Sequence, residues 1–263
     1  MNRLMNALSS MGRAIFALSI VAIGIETWVC ARMVAQPLGR GYDGLPLIPW
    51  LPAIPWLAYL AGTIWVACGA TFFARNPSGQ MAIALGVLFI GCSLALVLPR
   101  YVWHIGSIPF RTVLLEPIVI GCVAMLIPAR GQLPGWLAAA SRYVFGISLA
   151  VFGVDHLVGL AFHASFVPWW LPWHTFWAAF FGVAFMVAAV SITFRVLERW
   201  GAAGLGLMFG IWVLTLHLPR VFGLLGGGGL RDADEWSSML IAMALWGGPW
   251  GMLDRMIARA VKN

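Results

Sequence analysis

Charge is what this chain has least of. Of its 263 residues, 16 are Lys or Arg and 9 are Asp or Glu, so 10% are charged, against roughly 25% in a soluble domain. Hydrophobic residues make up 62% of the chain and the mean hydropathy is +0.91. That balance excludes an ordinary soluble domain and describes an integral membrane protein. Cysteine is scarce as well. Cys30, Cys68, Cys92 and Cys122 all lie in apolar runs without CxxC or other ligand spacing, which reads as small buried hydrophobes and not as a metal or disulfide framework. There is no P-loop, no Gly-x-Ser-x-Gly elbow and no GxGxxG after a strand; Gly226–Gly229 reads as flexible linker. The histidines form no HxxxH, HxxE or ExxH pattern, so no metal is expected. The net charge of +7 does not point to nucleic acid, because the arginines stand singly at the ends of apolar segments.

About 20 apolar residues are needed to span a bilayer as a helix. Windows of that size predict helices near 13–34, 55–75, 79–98, 112–129, 140–162, 174–195, 201–218 and 237–256, separated by turn signals such as Asn76-Pro77-Ser78-Gly79, Arg130-Gly131 and Glu198-Arg199. The chain also resembles itself. RAIFALSIVAIGIE from Arg13 aligns without gaps on RYVFGISLAVFGVD from Arg142, matching Phe16 to Phe145, Ser19 to Ser148, Gly24 to Gly153 and Glu26 to Asp155. Further on, IPWLP (48–52) parallels VPWWLP (167–172), LGVLF (85–89) parallels LGLMF (205–209), and Leu-Pro-Arg recurs at 98–100 and 218–220. The expected fold is therefore all-α: eight transmembrane helices in two four-helix units, 1–135 and 136–263. Four spans per unit is an even number, which makes the repeat parallel, about an axis along the membrane normal. On this reading residues 13–34 are the first spanning helix and not a cleaved leader.

With eight spans, ten Lys and Arg fall on the side of the termini and six on the other, which predicts both termini in the cytoplasm of a bacterial plasma (inner) membrane. Nine tryptophans collect on the outer side, including Trp169, Trp170 and Trp173. Interfacial belts account for many of these, and an aromatic vestibule is the second reading.

The intramembrane polar residues converge on one outer layer. Glu26 lies 13 residues beyond Arg13, about 20 Å along a helix and so in the outer third of a roughly 30 Å core. Asp155 sits at the same depth in the second unit, with Arg100, Arg220, His217 and Glu116 expected near that level. Buried carboxylates at that depth require partners, and a planar guanidinium supplies one. The pairs expected are Glu26–Arg100 and Asp155–Arg220. The units have diverged: His156 stands where the first has Thr27, and His217 where the first has Val97. One working site is therefore expected, not two.

At this point the second unit, with RYVFGISLAVFGVDHL and then FVPWWLPWHTFWAAFFGVAFMVAAVSI, resembles the DoxX-like family of small bacterial membrane proteins. Those are four-helix units carrying an Arg and a Gly-hydrophobic-acid/His signature in the first helix, followed by a VPxWLP loop. The first unit matches more loosely, having Glu26 and IPWLP but no histidine. The resemblance implies a four-helix bundle with a polar layer; members are linked to quinone-dependent thiosulfate oxidation and to membrane oxidoreductase complexes. The residues themselves point to a lipophilic small molecule, a quinone or isoprenoid, in an outer-leaflet site with an acid–base or redox-accessory role. Asp155, His156, Glu26 and His217 would carry the chemistry. Arg100, Arg220, Glu116, Trp169, Trp170 and Trp173 would bind the ligand. No covalently bound cofactor is expected, and a redox role calls for a partner protein, since the sequence has no electron-carrier motif. The alternatives are a small-molecule transporter working between the two units and a non-catalytic subunit of an oxidoreductase complex.

Overall fold

The computed structural model describes residues 2–30, 55–104, 106–128, 132–225 and 229–260. The first Gly/Pro loop with its IPWLP motif, residues 226–228 and the Arg100 side chain lie outside the described set. Among the described residues the secondary structure is helical, with no strand. The α-helices are α1 Asn2–Cys30, α2 Pro55–Ala70, α3 Gly79–Cys92, α4 Leu98–Tyr101, α5 Ile108–Leu126, α6 Gly135–Val158, α7 Leu160–Ala164, α8 His174–Phe194, α9 Glu198–Trp212, α10 Leu218–Val221, α11 Ala233–Gly251 and α12 Leu253–Ala260.

Eight spanning helices were expected. Among the described residues five segments are long and apolar enough to cross a membrane: Arg3–Val29, Ile108–Leu126, Gly135–Val158, His174–Phe194 and Glu198–Val221. The apolar stretches Ala58–Phe73 and Gly79–Ala95 are shorter. α11 is not among the five; it opens on Asp234 and Glu235 and carries Gly247, Gly248 and Pro249 in its last turns.

Local sequence explains where these helices start and bend. Asp232 caps α11, its carboxylate accepting the Asp234 N–H at 3.0 Å, and the acidic first turn suits the positive end of the helix dipole. α5 opens with Pro109 in its first turn, where a missing N–H costs nothing. α3 and α9 each pass into a π-helical turn, Ser93–Val97 and Val213–His217, directly before Leu-Pro-Arg. The proline ring cannot tolerate the carbonyl four residues back. The chain widens there, with the Leu98 N–H reaching the Ser93 carbonyl and the Leu218 N–H reaching the Val213 carbonyl.

Packing follows from burial. α5 and α11 are buried on nearly every face and touch one another. α1 packs on α11 and α2, α6 packs on α5 and α8, α3 lies against α5, and α9 lies against α11 and α8. The outer helices turn apolar side chains outward. On α8 the exposed large apolar residues are Phe176, Phe180, Val183, Val187, Val190 and Phe194, spaced three and four apart, with Ala178, Gly182, Phe185, Ala188 and Ile192 facing in. A continuous apolar outer stripe is the reverse of a water-facing helix and suits contact with lipid.

Glycine lets several helices cross closely, and two of these crossings correspond between the halves. A Cβ on Gly24 would come within 2.7 Å of the Gly62 carbonyl oxygen, and one on Gly153 within 2.8 Å of the Gly182 carbonyl oxygen. Small residues at such points let helix backbones approach in a membrane. Gly153→Val should lower the thermal unfolding temperature in detergent sharply. Gly204 has open space where its Cβ would be, so Gly204→Ala should raise stability by up to about 1 kcal/mol through helix propensity alone. Equal behaviour of the two variants would overturn the assigned α6–α8 crossing.

Candidate functional site

α5 to α9 and α11, with the loop between α7 and α8, line a partly open cavity of about 740 Å³. That volume is ample for a small organic ligand. Its wall is largely aromatic: Phe152, Phe162, Phe166, Trp170, Trp177, Phe180, Phe181, Phe185, Phe209 and Trp212 all line it. Trp212 stands at the centre of this wall, with ring centroids 5.0 Å from Phe181, 5.4 Å from Phe209, 5.9 Å from Phe185 and 5.8 Å from His156.

Polar groups enter this apolar space at a few points: Glu116 from α5, Asp155 and His156 from α6, His163 from α7 and His217 from the π turn after α9. The helix breaks at Gly159 (φ −97°, ψ 41°) between α6 and α7. His156 and His163 then stack with centroids 3.7 Å apart, closer than the roughly 10 Å that seven residues span along an unbroken helix. Each ring is tethered to the carbonyl four residues earlier: His156 Nδ1 lies 2.8 Å from the Phe152 oxygen and His163 Nδ1 lies 3.0 Å from the Gly159 oxygen. His217 Nδ1 is buried and has no hydrogen-bond partner among the described residues. Glu116 likewise makes no hydrogen bond or ion pair with them.

The ion pairs differ from those expected. Asp155 is buried and is held by Arg111 of α5, with Nε 2.9 and 3.0 Å from the two carboxylate oxygens and Nη2 at 2.5 Å. Arg220 instead grips Glu235 of α11, Nε at 2.9 and 3.1 Å and Nη2 at 2.6 Å. The expected Asp155–Arg220 contact is thus replaced by two fork-like pairs to other helices. α6 packs on α5, which brings Arg111 and not Arg220 to Asp155. Glu26 accepts a hydrogen bond of 2.5 Å from Ser237 of α11. Its expected pairing with Arg100 falls on a side chain outside the described residues. A second polar cluster sits far from this layer: Arg13, buried on α1, binds Ser9, Ser10 and Asp254 beside α11 and α12. Arg142, its counterpart in the sequence alignment, reaches the Thr193 carbonyl and lies 4.4 Å over the Tyr143 ring.

No family model, curated protein or solved structure matches this chain.

Of the ten residues singled out from sequence, the structure brings Asp155, His156, His217, Glu116 and Trp170 to the cavity wall. Glu26 and Arg220 belong to polar contacts on α11. Trp169 and Trp173 are 79% and 76% exposed and do not line the cavity. Four contributors stand outside those ten. Arg111 and Glu235 sit near helix starts, where a charge reads as a topology signal, although a charged residue within a turn of an apolar run is close enough to reach back into it. His163 belongs to the histidines whose spacing forms no metal pattern, and that spacing does not show its stack on His156. Trp212 carried no signal of its own, being one tryptophan in an apolar helix.

Breaking the Arg111–Asp155 pair leaves a charge in an apolar setting, so Asp155→Asn should cost about 3 kcal/mol. Removing both charges, Asp155→Leu with Arg111→Met, should recover much of that loss. Thermal or denaturant unfolding in detergent measures both; a double variant no more stable than the worse single one would contradict the pairing.

Proposed function

We propose that this chain is a bacterial inner-membrane protein made of two fused four-helix units, with both termini cytoplasmic, that holds a quinone- or isoprenoid-type small molecule in the cavity beside Asp155. Its role is acid–base, or accessory to a redox partner protein. The cavity itself carries the reading: ten aromatic rings make a wall suited to an apolar body, and two carboxyl groups and three imidazoles gather at it. A quinone-like headgroup needs hydrogen-bonding partners and a proton donor or acceptor at its oxygen, roles that histidine and a carboxyl group serve. In this scheme Asp155 with Arg111 positions α6 and its imidazole, and His156, His217 and Glu116 face the ligand.

Recurrence supports the two-unit architecture. The helix contacts exchange consistently: α1 with α2 corresponds to α6 with α8, α3 with α5 to α9 with α11, and α1 with α11 to α6 with α5. The π turns before Leu-Pro-Arg occur in both halves, as do the Gly24–Gly62 and Gly153–Gly182 crossings. The likeness of the second half to DoxX-like proteins is consistent with such a unit. Divergence between the halves supports one site: Asp155, His156, His163 and His217 all come from the second half, with Glu116 contributed across the junction.

A short-tailed quinone analogue in oxidised and reduced form, or a short polyprenol, should raise the unfolding temperature of the detergent-purified protein. At a hundredfold excess over Kd the stabilisation is about 2.7 kcal/mol. Ala178→Phe, which grows from the buried wall into the cavity, should remove the ligand shift while the protein stays folded. Glu26→Gln should keep it. No shift with any of the ligands would overturn the reading.

A further inference from the structure

A second group of charges gathers toward the other end of α6. Arg142 stands 13 residues before Asp155, about 20 Å along a helix. It lines a shallow cleft of about 30 Å³ together with Arg195, Glu198 and Arg255. The rest of the lining is apolar and includes Leu126, Ile192 and Met252. Among the described residues the cleft thus holds three guanidinium groups and one carboxylate, which leaves it positive. Asp254, next to Arg255 on α12, is bound by Arg13. Arg142 Nη1 donates to the Thr193 carbonyl and Arg255 Nη1 to the Leu126 carbonyl at 3.5 Å, both neutral acceptors. Arg142 Nε is buried and has no hydrogen-bond partner among the described residues. A buried donor of this kind is costly until an acceptor reaches it.

The turn that brings Arg195 and Glu198 to the cleft is unusual. Arg195 and Leu197 have φ of 61° and 53°, a conformation that residues other than glycine rarely adopt. Ser191 Oγ holds the turn by donating to the Val196 carbonyl at 2.8 Å, and the Trp200 N–H donates to the Leu197 carbonyl at 2.8 Å. The turn also fixes the level of the cleft. One apolar segment of spanning length ends at Phe194, next to Arg195, and another begins at Glu198. In a bilayer that is where lipid headgroups lie. Tyr143 and Trp200, beside these charges in the chain, are half exposed, and both residue types favour the headgroup zone.

We propose that this cleft binds the phosphate of an anionic phospholipid headgroup. Guanidinium forks match phosphate oxygens in geometry and charge, and basic pockets between membrane helices suit such headgroups. The apolar lining receives the glycerol end of the lipid. A zwitterionic headgroup brings its own cation to a positive cleft and loses the advantage. Glu198 is the one unfavourable charge, and it holds the affinity down. The proposal does not depend on what occupies the large cavity, which Arg142 and Arg195 do not line.

The test uses the whole protein in a non-ionic detergent and reads lipid binding by native mass spectrometry and by thermal shift. The probes are a short-chain phosphatidylglycerol, the phosphatidylcholine of the same tails, and inorganic phosphate at equal ionic strength. Phosphatidylglycerol should bind about tenfold more tightly than phosphatidylcholine, and inorganic phosphate more weakly than phosphatidylglycerol. Arg142→Gln should reduce the preference to about threefold or less, as should Arg195→Gln, an exposed position where the change spares the fold. Arg231→Gln, exposed at the opposite end of the bundle, should leave it intact. Glu198→Gln should tighten phosphatidylglycerol binding about threefold; a carboxylate that only balances the arginines would give no such gain when removed. Equal binding of the two lipids overturns the proposal, as does a preference unchanged in both Arg142→Gln and Arg195→Gln. Inorganic phosphate that matches phosphatidylglycerol in affinity and displaces it overturns the lipid assignment in favour of a soluble phosphate compound. Each of these outcomes leaves ligand binding in the large cavity untouched.

Discussion

A carboxylate inside an apolar bundle needs a counter-charge held at hydrogen-bond distance, and the Arg111–Asp155 pair meets that need for α6. The guanidinium fork fixes α6 against α5 in rotation as well as in height, because two nitrogens must meet one carboxylate. His156 is the next residue along, and its direction into the aromatic wall follows from that rotation. The break at Gly159 and the stack of His163 on His156 lie one turn beyond. Loss of this pair would therefore free the orientation of the imidazoles before it altered anything at the far end of the bundle.

The other polar contacts repeat the same device at different points. Arg220 and Glu235 fasten the end of the π-turned α9–α10 segment to the start of α11. Ser237 joins α11 to Glu26 on α1, and Arg13 with Asp254 joins α1 to α12 at another level. α11 thus receives polar contacts from α1 and α10, which suits its place at the centre of the bundle. Between these points helix contact is made by glycine and aromatic packing, as at Gly206, which lies directly under the Trp250 ring.

Much of the candidate site could be read from the chain and part of it could not. Asp155 and His156 stand out because an acid and an imidazole interrupt an apolar run, and Glu116 and His217 for the same reason. Arg111 and Glu235 were concealed by their position at the ends of apolar runs, where a charge reads as a topology signal. Their side chains turn inward from the first turns of α5 and α11. Trp169 and Trp173 drew notice through the density of tryptophan in their loop, yet only Trp170 of that trio meets the cavity. Composition records that indoles are present and not which way each one faces.

By itself the sequence determined the apolar, all-helical class of the protein and the short list of polar residues within its apolar runs. Those follow from hydropathy, proline, glycine and charge, each of which acts within a few residues along the chain. Tertiary structure alone decided the partners. Whether Asp155 meets Arg111 or Arg220 depends on which helix lies beside α6 and on how each is turned about its axis, and so do the size of the cavity and its position beside the α6–α7 break. Helix rotation is set by side chains from several helices packing at once, so no single stretch of the chain contains it.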